Sequence, residues 1–264
     1  MSEVFNKKLQ YQCTVTGNPD LLFKCNKKYG IEFLAKKLVR TLFSIGVNSW
    51  VFDREDNAIF DTILCSGEYQ KERYEALGIK AEVIASGSPR FDKENKTVDK
   101  EGFFKHYGLD KNKKTILWLP THTKATSVVN FLDVMQGLSI NYNVTLKTHA
   151  SCYSEIKKLP QLISAMAPNI ININNAESTE LLGVGDYVFC DYGGSVFTAI
   201  YNDKNVLLLN AEDKYVHKLI GEDSPEVEIR KEIINFYRHE GDKLISALKD
   251  KKIWEEQKAI RRRI

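Results

Sequence analysis

The sequence lacks most of the features that would each name a function class. Its 5 cysteines, Cys13, Cys25, Cys65, Cys152 and Cys190, are scattered, odd in number and free of any CxxC pair. That usage argues against a disulfide framework or a cysteine-built zinc site, and points to reduced thiols in a cytosolic protein. Basic residues do not prevail. The 38 Lys and Arg face 35 Asp and Glu, a net charge of +3, too even for the footprint of a nucleic-acid binder. No run reaches the roughly 18 apolar residues that span a bilayer. The opening Met1–Gln12 stretch has no apolar core of signal-peptide length. Neither secretion nor membrane spanning is expected, while attachment to a membrane surface stays open. Also missing are a GxxxxGK[ST] phosphate loop, a GxGxxG after the first strand, a GxSxG elbow and an HExxH zinc pair. With 15 Gly and 6 Pro in 264 residues, the chain is neither collagenous nor of low complexity.

Short apolar runs alternating with amphipathic segments are what the chain does have. Candidate strands are Thr62–Cys65, Glu82–Ala85, Thr115–Leu119, Asn143–Leu146, Ile170–Ile173, Tyr187–Cys190 and Val206–Leu209, each bounded by turn formers or charges. Helical patterns lie between them. Gly67–Leu77 puts Tyr69, Arg73 and Leu77 on one face, and Ser151–Ala165 puts Ile156, Leu159 and Ile163 on another. Shorter ones cover Ser178–Gly183 and Gly194–Asn202. This alternation predicts an α/β fold whose parallel sheets are covered on both faces. Lysine-rich, hydrophilic runs at 90–114, flanking a short helical piece around Phe103–Tyr107, suit a connection between lobes. The expected division is 1–108 as a partial first lobe and 109–264 as a second, more regular one. The charged tail from Pro225 is expected to close the fold with one or two amphipathic helices packed across the lobes.

Ligands of open parallel sheets sit beyond the carboxyl ends of the strands, beside helix N-termini. Four strand ends here carry groups suited to phosphate oxygens: Ser86-Gly87-Ser88-Pro89-Arg90, Pro120-Thr121-His122-Thr123-Lys124, Lys147-Thr148-His149 and Asp191-Tyr192-Gly193-Gly194-Ser195. Glycine-rich backbone at a helix start can cradle a diphosphate without a metal. Lys147 and Arg90 can neutralise it, and His149 can supply a hydrogen bond or a proton. Taken singly, each motif has an ordinary reading as turn chemistry, a helix cap or a surface Arg–Asp pair. Asp186 reads as a turn residue, and His106, His217 and His239 as bystanders. What carries weight is the coincidence of the four at one sheet edge.

In order and spacing, Gly87-Ser88-Pro89-Arg90-Phe91-Asp92, Pro120-Thr121-His122, Leu146-Lys147-Thr148-His149 and Asp186–Phe197 resemble the CDP-glycerol glycerophosphotransferases, the teichoic-acid and capsule polymerases of bacteria. The likeness runs from about Phe60 to Asn210. It implies a GT-B architecture, two Rossmann-like lobes with a reduced first lobe and the nucleotide donor in the second. It also implies donor or phosphate contacts from Arg90, Thr121, Lys147, Asp191, Gly193, Gly194 and Ser195, with His149 on the diphosphate. Gly194 stands where the family has a serine. The family's first-lobe His-Gly pair has no clear counterpart, Ile45-Gly46 being the nearest, and no histidine precedes His106. His122 is the substitute base.

The leading expectation is thus a transferase moving a glycerol- or ribitol-phosphate-like group from a CDP-activated donor to a polysaccharide, teichoic or lipid-linked acceptor. It would use neither metal nor other cofactor, since no acidic cluster is visible. It would work in the cytoplasm, at the inner face of the membrane if the basic tail (Lys249, Lys251, Lys252, Arg261, Arg262 and Arg263) attracts anionic lipid. The same basic residues could instead be a solvated helix end. Three alternatives stand beside this: another nucleotide-sugar GT-B enzyme such as a glycosyltransferase or UDP-sugar 2-epimerase relative, a non-catalytic nucleotide-binding scaffold of surface-polysaccharide assembly, and a plain α/β domain whose turns are only turns.

Overall fold

A computed structural model of the chain describes residues 13–16, 37–41, 57–58, 60–87, 98–176, 178–212 and 216–261. The expected Arg90 turn, Ile45-Gly46, Arg262 and Arg263 lie outside the described residues. Two compact units result, Met1–Glu94 and Asn95–Ile264.

Unit one contains a parallel four-stranded sheet in the order β1-β2-β3-β4, with β1 Cys13–Thr16, β2 Lys37–Thr41, β3 Thr62–Cys65 and β4 Glu82–Ala85. Helix α1, Glu68–Ala76, joins β3 to β4. The sequence pattern puts Tyr69, Arg73 and Leu77 on one face of this helix. It is instead the Gln70 and Tyr74 row that is buried. Tyr74 packs with Phe60 and Ile63, and Gln70 Oε1 accepts from Ser66 N at 2.7 Å. Arg73 lies over the Tyr69 ring on the solvent side.

Unit two is built on six parallel strands: β5 Thr115–Leu119, β6 Asn143–Leu146, β7 Ile171–Asn172, β8 Tyr187–Cys190, β9 Asn205–Leu209 and β10 Asn235–Phe236. The helices are α2 Lys100–Tyr107, α3 Leu132–Leu138, α4 Cys152–Glu155, α5 Leu159–Met166, α6 Ser178–Val184, α7 Ser195–Tyr201, α8 Val216–Ile220, α9 Pro225–Glu228, α10 Gly241–Lys249 and α11 Lys251–Arg261. The central strands read as unbroken apolar runs because both their faces are covered. Ile116, Trp118, Tyr187, Phe189, Leu207 and Leu209 face a core closed by α3, α5 and α10. Leu117, Val188, Cys190, Val206 and Leu208 face the opposite core, closed by α2, α6 and α7.

Three differences from the sequence pattern have physical causes. Helix α2 belongs to the second unit because Phe103 is buried beside Leu117 and Val188, so the unit boundary falls after Glu94, within the lysine-rich stretch and ahead of α2. The helix expected over Ser151–Ala165 is two helices. Pro160 cannot donate in a helix interior and sits in the first turn of α5, after Lys158 at φ 59°. The tail's two helices have their described contacts within the second unit. Gln257 of α11 clamps Val206, accepting from its N–H at 2.8 Å and donating to its C=O at 2.6 Å. It thereby satisfies the part of β9 that the two-residue β10 leaves unpaired. Arg261, expected in a lipid-facing basic tail, is 7% exposed and ion-paired to Asp203 at 3.0 Å. No helix of the described residues is long and apolar enough to cross a membrane.

Candidate functional site

The strand order β10-β9-β8-β5-β6-β7 means that the chain runs outward from β5 to β7, then returns to lie on the other side of β5. At such a reversal, a parallel sheet opens a crevice beyond the carboxyl ends of the two strands. Here those strands are β5 and β8. The turns after them begin at Pro120 and Asp191, and Lys147–His149 follows the adjacent β6. Three of the four expected motifs therefore meet at one switch point.

Asp191 forms the floor of this crevice. The sequence reading placed it on phosphate, but its carboxylate is fully buried. Oδ1 accepts from Thr121 N at 2.7 Å, and Oδ2 accepts from Ser127 N at 2.8 Å and Ser127 Oγ at 2.9 Å. Ser127 Oγ in turn accepts from Trp118 Nε1 at 3.0 Å. Burial pushes the Asp191 carboxyl up to about 6, against the pull of the Ser127 and Thr121 hydrogen bonds and the nearby Arg230 charge. Asp191 ties the β5 turn to the end of β8. It holds the loops that a ligand would meet.

The turn above it is shaped by close approach. A Cβ on Gly193 would lie 3.2 Å from Thr121 Cβ and 3.3 Å from its Oγ1, closer than ordinary packing, so the glycine lets the two turns meet. Ser195 donates its hydroxyl to Leu119 O at 3.0 Å, which pins the start of α7 to the end of β5. Gly194 precedes α7 with no side chain to cap it, and a helix cannot satisfy its own first N–H groups. These backbone donors stay in place without a side chain at Gly194.

Lys147 differs from its expected role as a free cation. Its ammonium donates to Asn174 O at 2.8 Å and Ala176 O at 2.6 Å, bracing the segment after β7. Desolvation lowers its pKa. Beside it, Asn174 Oδ1 accepts from Thr148 N at 2.8 Å.

The two candidate histidines are brought together. Their rings stack with centroids 4.4 Å apart and 27° between planes. His149 Nδ1 accepts from Ser151 N at 3.2 Å, so in the neutral ring Nε2 carries the proton and is the outward donor. Desolvation lowers the His149 pKa, His122 lowers it further, and Glu155 opposes both. His122 Nδ1 lies 3.0 Å from Glu155 Oε1. The short helix that carries Glu155 is seated by Cys152, whose thiol donates to Thr121 O at 3.3 Å.

Sequence reading missed Ser127, Glu155 and Asn174, all of which act through neighbours distant in the chain. It also missed a buried group beside the crevice. Arg230 stacks on Tyr192 at 3.5 Å from the ring centroid and donates to Asn210 Oδ1 at 2.9 Å, and the Tyr192 hydroxyl lies 3.1 Å from His217 Nε2. Tyr192 stood inside a recognised motif, and the cation on its face left no local signal. Among the described residues, no group of three His, Cys, Asp or Glu is placed to hold a metal ion.

Comparison with known proteins places this geometry. The family described as CDP-Glycerol:Poly(glycerophosphate) glycerophosphotransferase matches residues 52–263. Comparison with curated proteins finds no significant match. Among solved structures, the wall teichoic acid polymerase TagF is similar with a TM-score of 0.63 at 14% identity, over 87% of this chain and 64% of that one. The S. aureus MnaA–UDP co-structure is similar with a TM-score of 0.65 at 13% identity, over 97% and 70% of the two chains. A putative UDP-N-acetylglucosamine 2-epimerase from Listeria monocytogenes gives 0.60 at 12% identity, over 97% and 71%. The chain thus spans 64% of the length of TagF. The likeness to these structures is one of fold, and the fold is the expected α/β, GT-B type. With a family match running from residue 52 almost to the last residue, the chain belongs to the CDP-glycerol:poly(glycerophosphate) glycerophosphotransferases.

Proposed function

We propose that the second unit binds a CDP-activated polyol phosphate, CDP-glycerol foremost, and that the chain transfers its glycerol-phosphate-like group to a teichoic, capsular or lipid-linked acceptor. The observation that carries this reading is the switch-point crevice. The Thr121 and Gly193-Gly194-Ser195 turns meet there, and His149 stacks on His122 beside them. Backbone N–H groups at a helix start and a neutral imidazole N–H suit a diphosphate, whose charge grows on the leaving nucleotide as transfer proceeds. Asp191 and Lys147 act as positioning residues, the first for the Thr121 turn and the second for the segment after β7. Arg90 is kept as a phosphate contact and His122 as the base. The family assignment and a TagF structure soaked with CDPG support CDP-glycerol as the donor. Work at the cytoplasmic face of the membrane is part of the same proposal.

Calorimetric titration with CDP-glycerol, CDP-ribitol, CDP and UDP tests it, alongside His149→Ala. Binding of the CDP compounds, weakened at least about tenfold in the variant as expected for loss of a hydrogen bond to a charged group, is the expected result. Binding of UDP in preference to CDP would favour the UDP-sugar reading that the MnaA–UDP likeness of fold raises. Binding of no nucleotide would refute the donor site.

A further inference from the structure

We propose that Glu155 is the positioning residue of a general base, His122, so that the donor-binding unit carries its own acid–base pair. The inference rests on the donor-site reading above and adds to it a residue that no sequence motif marks.

Four contacts carry it. A carboxylate can only accept, so the 3.0 Å approach of Glu155 Oε1 to His122 Nδ1 puts the ring proton on Nδ1 and leaves a lone pair on Nε2. The neighbouring ring has the opposite polarity, because Ser151 N donates to His149 Nδ1 at 3.2 Å and leaves a proton on Nε2. The rings stack at 4.4 Å, so one acceptor nitrogen and one N–H donor belong to a single pair of planes. The arrangement is held from outside the pair. Glu155 ends the four-residue helix α4, which begins at the buried Cys152, and the Cys152 thiol donates to Thr121 O, the carbonyl directly before His122. A contact independent of the imidazoles therefore sets the Glu155–His122 spacing.

The two polarities match the two demands of phosphoryl transfer. The acceptor hydroxyl oxygen forms a bond to the β-phosphorus of CDP-glycerol, and its proton passes to His122 Nε2. The bond from the β-phosphorus to the bridging oxygen breaks, and its electron pair leaves with CMP. His149 Nε2–H hydrogen-bonds the diphosphate throughout. The Glu155 carboxylate balances the charge that His122 gains.

The test measures CMP release from CDP-glycerol, with water alone and with a short glycerol phosphate oligomer as acceptor. It compares the wild-type chain with Glu155→Gln, His122→Ala and the double variant, with CDP affinity measured on the same preparations. Glu155→Gln should lower turnover about 10- to 100-fold, as loss of a histidine's orienting partner does, with CDP affinity unchanged. His122→Ala should lower it on the order of 10²- to 10⁴-fold and regain activity with added imidazole. The double variant should be no slower than His122→Ala, because Glu155 acts only through that ring. A Glu155→Gln chain that turns over at the wild-type rate, or that loses CDP binding, overturns the proposal, as does a double variant slower than His122→Ala. Donor bound by the wild-type chain without CMP release to either acceptor also overturns it, and leaves the donor site standing. Failure of the wild-type chain to bind any CDP compound refutes the donor site itself.

Discussion

Replacing Asp191 by Asn separates the two energies that meet at the crevice floor. Burial is the larger influence on this carboxyl and moves it from 3.8 to about 6. An acid whose folded value lies above its unfolded value binds its proton more tightly in the native state. Its contribution therefore favours folding most below pH 3.8, and that advantage is lost as the pH rises through 6. The gap between 3.8 and about 6 corresponds to about 3 kcal/mol in all, of which about 2 kcal/mol falls between pH 4.5 and 7.5. Asn carries no such titration. It presents an NH2 group, however, where Ser127 N and Oγ now donate. A buried donor left without an acceptor costs about 1–3 kcal/mol at any pH. The variant should therefore be clearly less stable than wild type at pH 4.5, and the deficit should shrink by about 2 kcal/mol at pH 7.5. Guanidinium unfolding followed by tryptophan fluorescence reads this directly, since Trp118 and Trp254 are both buried in the same core of this unit. Groups that titrate alike in both proteins cancel in the difference. A deficit that is the same at both pH values, or that widens as pH rises, would refute the claim that desolvation dominates at Asp191.

Three further substitutions probe the same region. Gly185→Ala would drive a Cβ to within 2.4 Å of Leu117 Cδ1 in the buried core and should lower unfolding stability by about 1–3 kcal/mol without changing CDP affinity, as denaturation and calorimetry will show. Gly193→Ala meets Thr121 Cβ at 3.2 Å and should do the reverse, with a smaller loss of stability and weaker CDP binding by titration. His149 has its pKa held below 6.5, so its charging is resisted in the native state. Its stabilising effect is whole above pH 6.5 and is lost as pH falls below that value. Thermal melts of His149→Gln at pH 5.5 and 7.5 should consequently differ less than those of the wild-type chain, and an equal loss in both would contradict the partial desolvation of this ring.

The strands of the second unit were legible because burial on both faces demands uninterrupted apolar runs, and Thr115–Leu119, Asn143–Leu146 and Tyr187–Cys190 appear as the pattern placed them. Elements whose reasons are not local were harder to read. Asn235–Phe236 is a strand only because Leu208 and Leu209 offer it an edge, and two residues carry no period. Helix α3 has its Leu132, Met135 and Leu138 on one face, but seven residues with a glycine among them make a weak signal. The packed row of α1 is not its more apolar one. Tyr69 and Leu77 are the more apolar row, yet the sheet takes Tyr74 together with Gln70, whose carboxamide oxygen accepts from Ser66 N. The break between α4 and α5 has a local sign in Pro160, which apolar spacing does not register.

At the crevice, residues singled out at three strand ends lie side by side, but the sequence did not divide the tasks among them. Polar residues at a strand end face two needs, since the loop must be held and the ligand must be met. Composition alone does not divide them. Burial does. Asp191 and Lys147, the two ionised groups most readily assigned to a phosphate, spend their hydrogen bonds on Thr121, Ser127, Asn174 and Ala176, because a charge removed from water must find partners within the protein. The groups left to face a ligand are weaker and more exposed: backbone N–H groups, a hydroxyl-bearing turn and two imidazoles. A charge-balanced chain with a net charge of +3 can still offer a diphosphate a fixed set of donors, provided ions tied into the protein hold those donors in place. Neutralising Lys147 should accordingly weaken donor binding through displacement of the segment after β7. Ionic strength is the variable that separates this from loss of a direct contact, because a displaced loop changes affinity without changing its salt dependence.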